Sequence, residues 1–470
     1  MSGFQPGLGP EVSEPSTAAG SRRPGHVEKG SIDGAAALGS RPIGRLLWHT
    51  CSQTTMSVGV YGIYALTNAW FVARGVGTDA MAAVNLAAPV LLILGAVSST
   101  VGAGAASLVS RRLGAGDPAG AARAAGNAFA LFWATAATVT VTGLLALEPL
   151  LTVLGAEPAT RGLTRDYTIV LLCGALVSTG FSSLIRAEGR LRYATMIWLV
   201  PVLVQITLDP LLIFGLDLGV RGAALGTVGG QAVSAAMSLW FFFAQRERPY
   251  RITVHDLRPH GPTVRAQVGI GAPSFLAGLG ATLLAVLVNN VLAATAAGVT
   301  ALAAYAVCAR IQTFVTMPQL GISQGLQPIV GYNAGRGVAD RVDRARTLAL
   351  RATIGYGTLA ALAVILTAGP VVAVFTDDDA VAPAAEQALR IIAAGIAAAG
   401  VTPLVSAYFQ SLGRATPSYL ISAGTLLAIK VPLILAAGTT GTTGIWIGIA
   451  AGEILSALVA LVLLRLPWRA

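Results

Sequence analysis

Among the charged side chains deep inside apolar sequence in this chain are Asp209, Lys430 and Glu453. A charge in a hydrocarbon core costs about 2.5–3.5 kcal/mol on insertion scales, so each needs a partner or a task. The chemistry open to them is proton or ion exchange. A carboxylate can take up H+ or hold Na+, and a lysine, unlike an arginine, can lose its proton when desolvated. Asp209 follows Gln205 by one helical turn, so the two share a helix face. Lys430 and Glu453 fall in successive apolar stretches and are read as a pair that opens on protonation or substrate binding; a static pair or an outward-snorkelling lysine is the plainer alternative. Lys29 and Lys430 are the only lysines among 31 basic residues. Arg310, Gln324 and Gln327 are candidates for lining a cavity. Asn85, Asn289 and Asn290 either line it or bond between helices. Tyr61, Tyr64, Trp70, Phe71 and Tyr305 are the aromatic candidates for holding an organic substrate.

Other chemistries lack their residues. No Gly-Lys-Ser/Thr follows the glycine-rich pieces, so nothing points to an ATPase. Cys51, Cys173 and Cys308 are far apart in apolar sequence, and the four histidines do not cluster, so no metal spacing arises. Asp377-Asp378-Asp379 has no glutamate at Ca2+-loop spacing and reads as a solvated loop. No nucleophile stands with a base, which argues against an enzyme. No organic cofactor is implied.

The elements that must position these residues are membrane helices. The chain has 470 residues, 54% hydrophobic and 11% charged, with mean hydropathy +0.71; a soluble domain carries roughly 25% charged residues. Apolar stretches of about 20 residues, each sufficient to span a bilayer as a helix, follow one another from residue 46, about 12 in all. Helices are the expected form, because lipid offers no partner to an open sheet edge. The 55 glycines fit close helix–helix contact. The two halves repeat: Val109-Ser-Arg-Arg-Leu-Gly114-Ala-Gly116 returns as Val330-Gly-Tyr-Asn-Ala-Gly335-Arg-Gly337, and Gly219, Gly222, Gly226 and Gly230 return as Gly441, Gly444, Gly448 and Gly452. The expected fold is all-α and polytopic, with two six-helix bundles related by an axis along the membrane normal. Residues 1–42 read as a disordered cytoplasmic tail, 43–244 as the N-terminal lobe, 245–265 as a cytoplasmic linker and 266–470 as the C-terminal lobe. The net charge of +10 comes from arginines gathered after the even-numbered spans, as at Arg111, Arg112, Arg186, Arg246 and Arg336. The positive-inside rule then puts both termini in the cytoplasm of a plasma-membrane protein. The charge is an orientation signal, so no nucleic-acid partner is expected; the expected partners are the bilayer and a small organic substrate, and the chain is expected to be a monomer.

Several stretches together resemble the multidrug and toxic compound extrusion family. They are Asn68 to Val84, Ser110 to Asp117, Leu184-Ile-Arg-Ala-Glu-Gly-Arg190, Leu208 to Gly215 with Gly219 to Ala224, Gly321 to Asn333, and Tyr408-Phe-Gln-Ser-Leu-Gly-Arg414. The resemblance runs from about residue 44 onward. It implies export of organic, cationic or amphipathic compounds, driven by inward H+ or Na+, with the two lobes alternately opening a cleft. It also implies an ion-coupling site where an aspartate on the first helix faces one on the fifth. Asp209 stands at the fifth-helix position with Gln205 a turn before it. The first-helix position is Asn68, which neither titrates nor carries charge, so one carboxylate remains. A single acidic site leans toward H+, because Na+ needs several oxygen ligands. The family's other branch places a glutamate on the seventh helix, and residues 266–295 contain no acidic residue. A flippase for lipid-linked oligosaccharides, of the same superfamily, is the alternative.

Overall fold

The computed structural model describes residues 34–177, 181–245 and 247–467; most of the expected tail and Arg246 lie outside them, as do the side chains of Tyr61 and Tyr64. The described residues contain helices and connections and no strand. A short α1 (Ala35–Ser40) precedes α2 (Ile43–Gly75), α3 (Thr78–Gly114) and α4 (Pro118–Leu145). The two-turn α5 (Leu147–Val153) leads to α6 (Pro158–Gly174), α7 (Ser182–Ala187), α8 (Leu191–Pro210) and α9 (Gly219–Leu239), which complete the first lobe. The second lobe has α10 (Gly261–Ala293), α11 (Gly298–Gly335), α12 (Ala339–Leu366), α13 (Ala368–Ala373), α14 (Val381–Ala399), α15 (Val401–Ser411), α16 (Ala415–Tyr419), α17 (Val431–Gly438) and α18 (Thr442–Arg465). Eleven described spans, several built from consecutive elements, are long and apolar enough to cross a membrane. The twelfth is α2, whose 33 residues make roughly 50 Å of helix against a hydrocarbon core of about 30 Å. Arg45, His49, Gln53 and Asn68 make it the more polar one.

Local sequence sets the boundaries. At the start of α4, Asp117 accepts the Gly120 amide at 2.8 Å and Pro118 takes the first helical position, where its missing N–H costs nothing. The repeated glycine-rich motif forms the same turn twice. Gly116 and Gly337 both have φ +73°, the left-handed conformation that ends α3 and α11 and that a side chain would strain. Each lobe then has its own core. In the first, Phe129 packs on Phe181 and Phe242, with ring centroids 4.1 and 5.1 Å apart. In the second, Leu389, Ile392 and Ile396 pack with Leu292, Cys308 and Trp446.

The lobes meet where α2 crosses α11 and α3 crosses α10. The closest approaches gather at the arginine-rich end. Gly114 lies against the Tyr332 carbonyl and Gly335 against the Arg111 carbonyl, so a Cβ at either would strike backbone. Thr54 donates to the Gly321 carbonyl at 2.6 Å, and Gln267 of α10 donates to the Ala124 carbonyl of α4 at 2.6 Å.

Two boundaries differ from expectation. Residues 35–40, assigned above to a disordered tail, form α1. Leu38 is buried, and its carbonyl accepts from Asn333 at 3.0 Å and Arg341 at 3.2 Å. The connection between lobes is also shorter than 245–265, because α10 begins at Gly261. It is tied to the first lobe through Asn127, whose side chain donates to the Asp256 carbonyl and accepts from the His260 amide.

Candidate functional site

Between the lobes lies a cleft of about 1140 Å³, lined by segments of α2, α3 and α6–α9 on one side and α10, α11, α14, α15, the Leu420–Lys430 turns and α18 on the other. It is somewhat larger than the usual pocket for a drug-sized ligand. The backbone contacts at the arginine-rich end close it below, and its lining reaches Met81 and Tyr305 near the opposite end.

The first-lobe candidates come together across three helices. Asn68 of α2 donates to the Thr227 hydroxyl of α9 at 3.5 Å, and both line the cleft with Gln205 of α8. Gln205 packs against Gly230. Asp209, one turn along α8, turns away from the cleft and lays its carboxylate on the α-carbon of Gly226. A glycine there is what lets the two helices close over it. Asp209 is 1% exposed, and neither of its oxygens has a hydrogen-bond partner among the described residues. Pro210 ends the regular helix, and a wider π-helical turn, Leu211–Gly215, follows.

In the second lobe the ammonium of Lys430 lies 2.5 Å from the Glu453 carboxylate, with side chains 19% and 18% exposed. Both line the cleft. Two successive π-helical turns, Leu420–Gly424 and Leu426–Lys430, carry Lys430 to this position; such widened turns are frequent at functional positions. Behind Tyr305, Trp446 stacks at a centroid distance of 6.1 Å.

Asn85, Gln324, Gln327 and Tyr305 also line the cleft, whereas Trp70, Phe71, Asn289, Asn290 and Arg310 do not. Trp70 is 55% exposed and carries Arg74 over its ring at 5.6 Å. Asn289, Asn290 and Arg310 are exposed. Arg310 comes five residues after Tyr305, about 140° further around the helix. The asparagines follow Ala285, the last lining residue of α10.

Sequence reasoning missed the cleft floor. Arg186, counted above only as a marker of a membrane face, is buried there. It donates to the Ser182 hydroxyl at 3.4 Å and, across the lobe boundary, to the Gln324 side-chain oxygen at 3.3 Å. Trp198 donates to the same hydroxyl at 3.0 Å. Ser107 of α3 reaches the Gln410 carbonyl of α15 at 2.5 Å, and Gln410 in turn accepts from Ser274 at 3.1 Å. The signal available was only the position of Arg186 at the end of an apolar stretch, which it shares with solvated arginines.

Glu188 and Asp378 belong to local structure. Glu188 is enclosed with Arg248 at 2.5 Å and the Tyr250 hydroxyl at 2.5 Å. Burial pushes its carboxyl up, and the Arg248 guanidinium opposes that. Asp378 accepts the Val381 and Ala380 amides at 2.9 and 2.8 Å, which hold its carboxyl below the usual range; it caps α14.

A duplicated bundle of membrane helices around a polar inter-lobe cleft is the architecture of a secondary transporter. The chain belongs to the MatE family, whose model matches residues 55–211 and again residues 273–436. It is 25% identical over 404 residues to the FAD transporter of Shewanella oneidensis, covering 84% of this chain and 88% of that protein. It is 26% identical over 433 residues to the multidrug export protein MepA of Staphylococcus aureus, covering 90% and 94%. Among solved structures, it resembles an outward-facing multidrug resistance MATE family transporter, with TM-score 0.85, 25% identity and coverage of 91% and 96%. It also resembles a Pyrococcus furiosus MOP superfamily transporter, described as having a binding pocket of reversed polarity, with TM-score 0.84, 25% identity and the same coverage. The protein is thus a multi-pass membrane transporter of a family that includes multidrug exporters.

Proposed function

We propose that this protein exports amphipathic organic compounds across the plasma membrane, as a monomer with both termini in the cytoplasm, by antiport against H+. The observation that carries this is the large cleft between two lobes, closed at the arginine-rich end. By the positive-inside rule that end is cytoplasmic, so the conformation is open to the outside. Rocking of the lobes about the α2–α11 and α3–α10 contacts exposes the cleft to each side in turn. Coupling rests on Asp209, a buried carboxyl with neither counter-charge nor donor among the described residues, in a setting where charge is costly. Proton binding there is felt by α9 through Gly226 and so by Thr227 and Asn68. Lys430–Glu453 organises the opposite wall. No organic cofactor is needed, since the ion gradient supplies the energy.

The lining favours a substrate other than a simple cation. Its charged groups are Arg186, Lys430 and Glu453, a formal balance of +1. The two cations also suit the pyrophosphate of a lipid-linked sugar, which is what favours a flippase as the second reading.

Reconstitution tests the proposal. Cationic, neutral and anionic fluorescent amphiphiles are followed in proteoliposomes under a pH gradient, a Na+ gradient or neither. A pH gradient is expected to drive at least one dye, and Asp209→Asn to reduce that flux at least tenfold. Flux driven by Na+ alone would replace the ion. Loss only in Glu453→Gln would move coupling to the second lobe. If no gradient moves any dye, the exporter reading falls and lipid-linked sugar translocation is assayed instead.

A further inference from the structure

We propose that the cleft floor is an oxyanion-binding site built on Arg186, which takes the phosphate or carboxylate of an amphipathic aromatic substrate. The proposal rests on the reading of the cleft as a transport site and names its substrate class. Arg186 is 9% exposed. A guanidinium presents five N–H donors in a planar fork suited to bidentate recognition of carboxylate and phosphate. Its partners here are two neutral oxygens, those of Ser182 and Gln324, at 3.4 and 3.3 Å. No carboxylate among the described residues pairs with it.

The contrast with Arg248 is informative. That side chain is also enclosed, at 1% exposed, and it has the Glu188 carboxylate at 2.5 Å. The Arg248 guanidinium is thus neutralised by a carboxylate where it is enclosed. Arg186 faces a cavity instead, and the charge that would balance it is absent from the wall.

The surroundings suit an anion. Below the cleft, a pocket of about 10 Å³ is lined by Arg186, Ser107, Ser183, Gln324, Gln327 and Gln410, with alanine, proline and Ser411 completing it. That is room for one water-sized atom, such as a single phosphate or carboxylate oxygen, while the rest of the group stays in the cleft. Apart from the guanidinium, the polar lining consists of hydroxyls and amides and contains no acid. Glu453, the one carboxylate in the cleft lining, is already bonded to Lys430. Tyr167, Trp198 and Tyr305 supply aromatic faces to the same cavity. A ligand oxyanion competes with Gln324 for the guanidinium. Gln324 belongs to the other lobe, so occupancy of the floor also loosens one tie between lobes.

The test uses the intact protein in phosphatidylcholine nanodiscs. Binding of 4-methylumbelliferyl phosphate is compared with that of 4-methylumbelliferone, which differs by the phosphate. The phosphorylated probe is expected to bind at least tenfold more tightly, and inorganic phosphate to displace it but not the neutral probe. Arg186→Gln should reduce the advantage to less than twofold, and Arg186→Lys should retain part of it. A merely structural arginine would lower both probes alike. Equal binding of the two probes by the parent, or an advantage that survives in Arg186→Gln, overturns the proposal. If Arg186→Gln does not fold, the phosphate competition on the parent decides. Adding phosphatidylglycerol distinguishes the source of the anion. Loss of probe binding in the parent alone identifies a lipid headgroup as the occupant, and no loss identifies a soluble substrate. A protein that shows the phosphate preference but moves no dye under any gradient keeps this site and loses the exporter reading; the converse loses this site only.

Discussion

Asp209 and Gly226 work as one unit at the residue scale. The carboxylate lies on a bare α-carbon, so the space it needs exists because residue 226 has no side chain. Asp209→Asn keeps the shape and removes the titrating group. It is expected to leave substrate binding within about twofold while gradient-driven flux falls at least tenfold, as read by equilibrium binding and proteoliposome transport on one preparation. The Lys430–Glu453 pair is partly exposed to the cleft, so its value lies between a surface pair and a buried one. Lys430→Ala or Glu453→Ala should each cost about 1–3 kcal/mol, and the double variant less than the two together; thermal unfolding of the four proteins measures this. Both sites were legible in the sequence because charge is expensive in hydrocarbon, a rule that needs no coordinates. The same rule cannot tell which way a helix faces, which is why Arg310 and Asn289 fall outside the cleft. It also misses Arg186, because an arginine near a helix end has a cheap solvated alternative.

Elements carry the next level of argument. The short α7 and the inter-lobe connection are joined by the enclosed Glu188–Arg248 pair, with Arg248 lying over the rings of Phe242 and Tyr250 at 4.5 and 4.6 Å. Arg248→Ala removes both the charge partner and this packing and leaves a buried carboxylate with no counter-charge and only the Tyr250 hydroxyl as donor. Loss of about 3–5 kcal/mol is expected, measurable as a lower unfolding midpoint in detergent. Arg248→Lys should recover only part, because an ammonium lacks the planar fork that spans carboxylate and rings. The twelve-helix plan was readable because length and apolarity fix a membrane helix, and the repeated motif, read as a mark of duplication, turns out to form matching turns at Gly116 and Gly337. The six-residue α1 was not readable. One apolar turn has no periodicity to detect, and it is held in place by Asn333 and Arg341, some 300 residues away.

For the whole molecule, the proposed transport cycle requires the lobes to part at the arginine-rich end. Ser110 of α3 and Gly331 of α11 face each other there, with a Cβ on Gly331 lying 3.1 Å from that of Ser110, so the backbones need to separate by a few tenths of an ångström to reach the roughly 3.5–4.5 Å a disulfide spans. With the three native cysteines replaced, Ser110→Cys with Gly331→Cys is expected to cross-link under mild oxidation and to lose at least 90% of its gradient-driven flux. A thiol reductant should restore it, and neither single variant should respond. Continued transport by the cross-linked protein would rule out parting of the lobes at this contact. The bundle has another consequence, arising from its scarcity of lysine. Apart from Lys29, the chain's only lysine is the one bonded to Glu453 in the cleft wall. The native protein therefore carries its own chemical gauge. An amine-selective acylating dye, applied briefly and located by peptide mass, should modify Lys430 slowly while the ion pair holds and faster once it breaks. Labelling rates with and without substrate would then report the state of the cleft in an unengineered transporter.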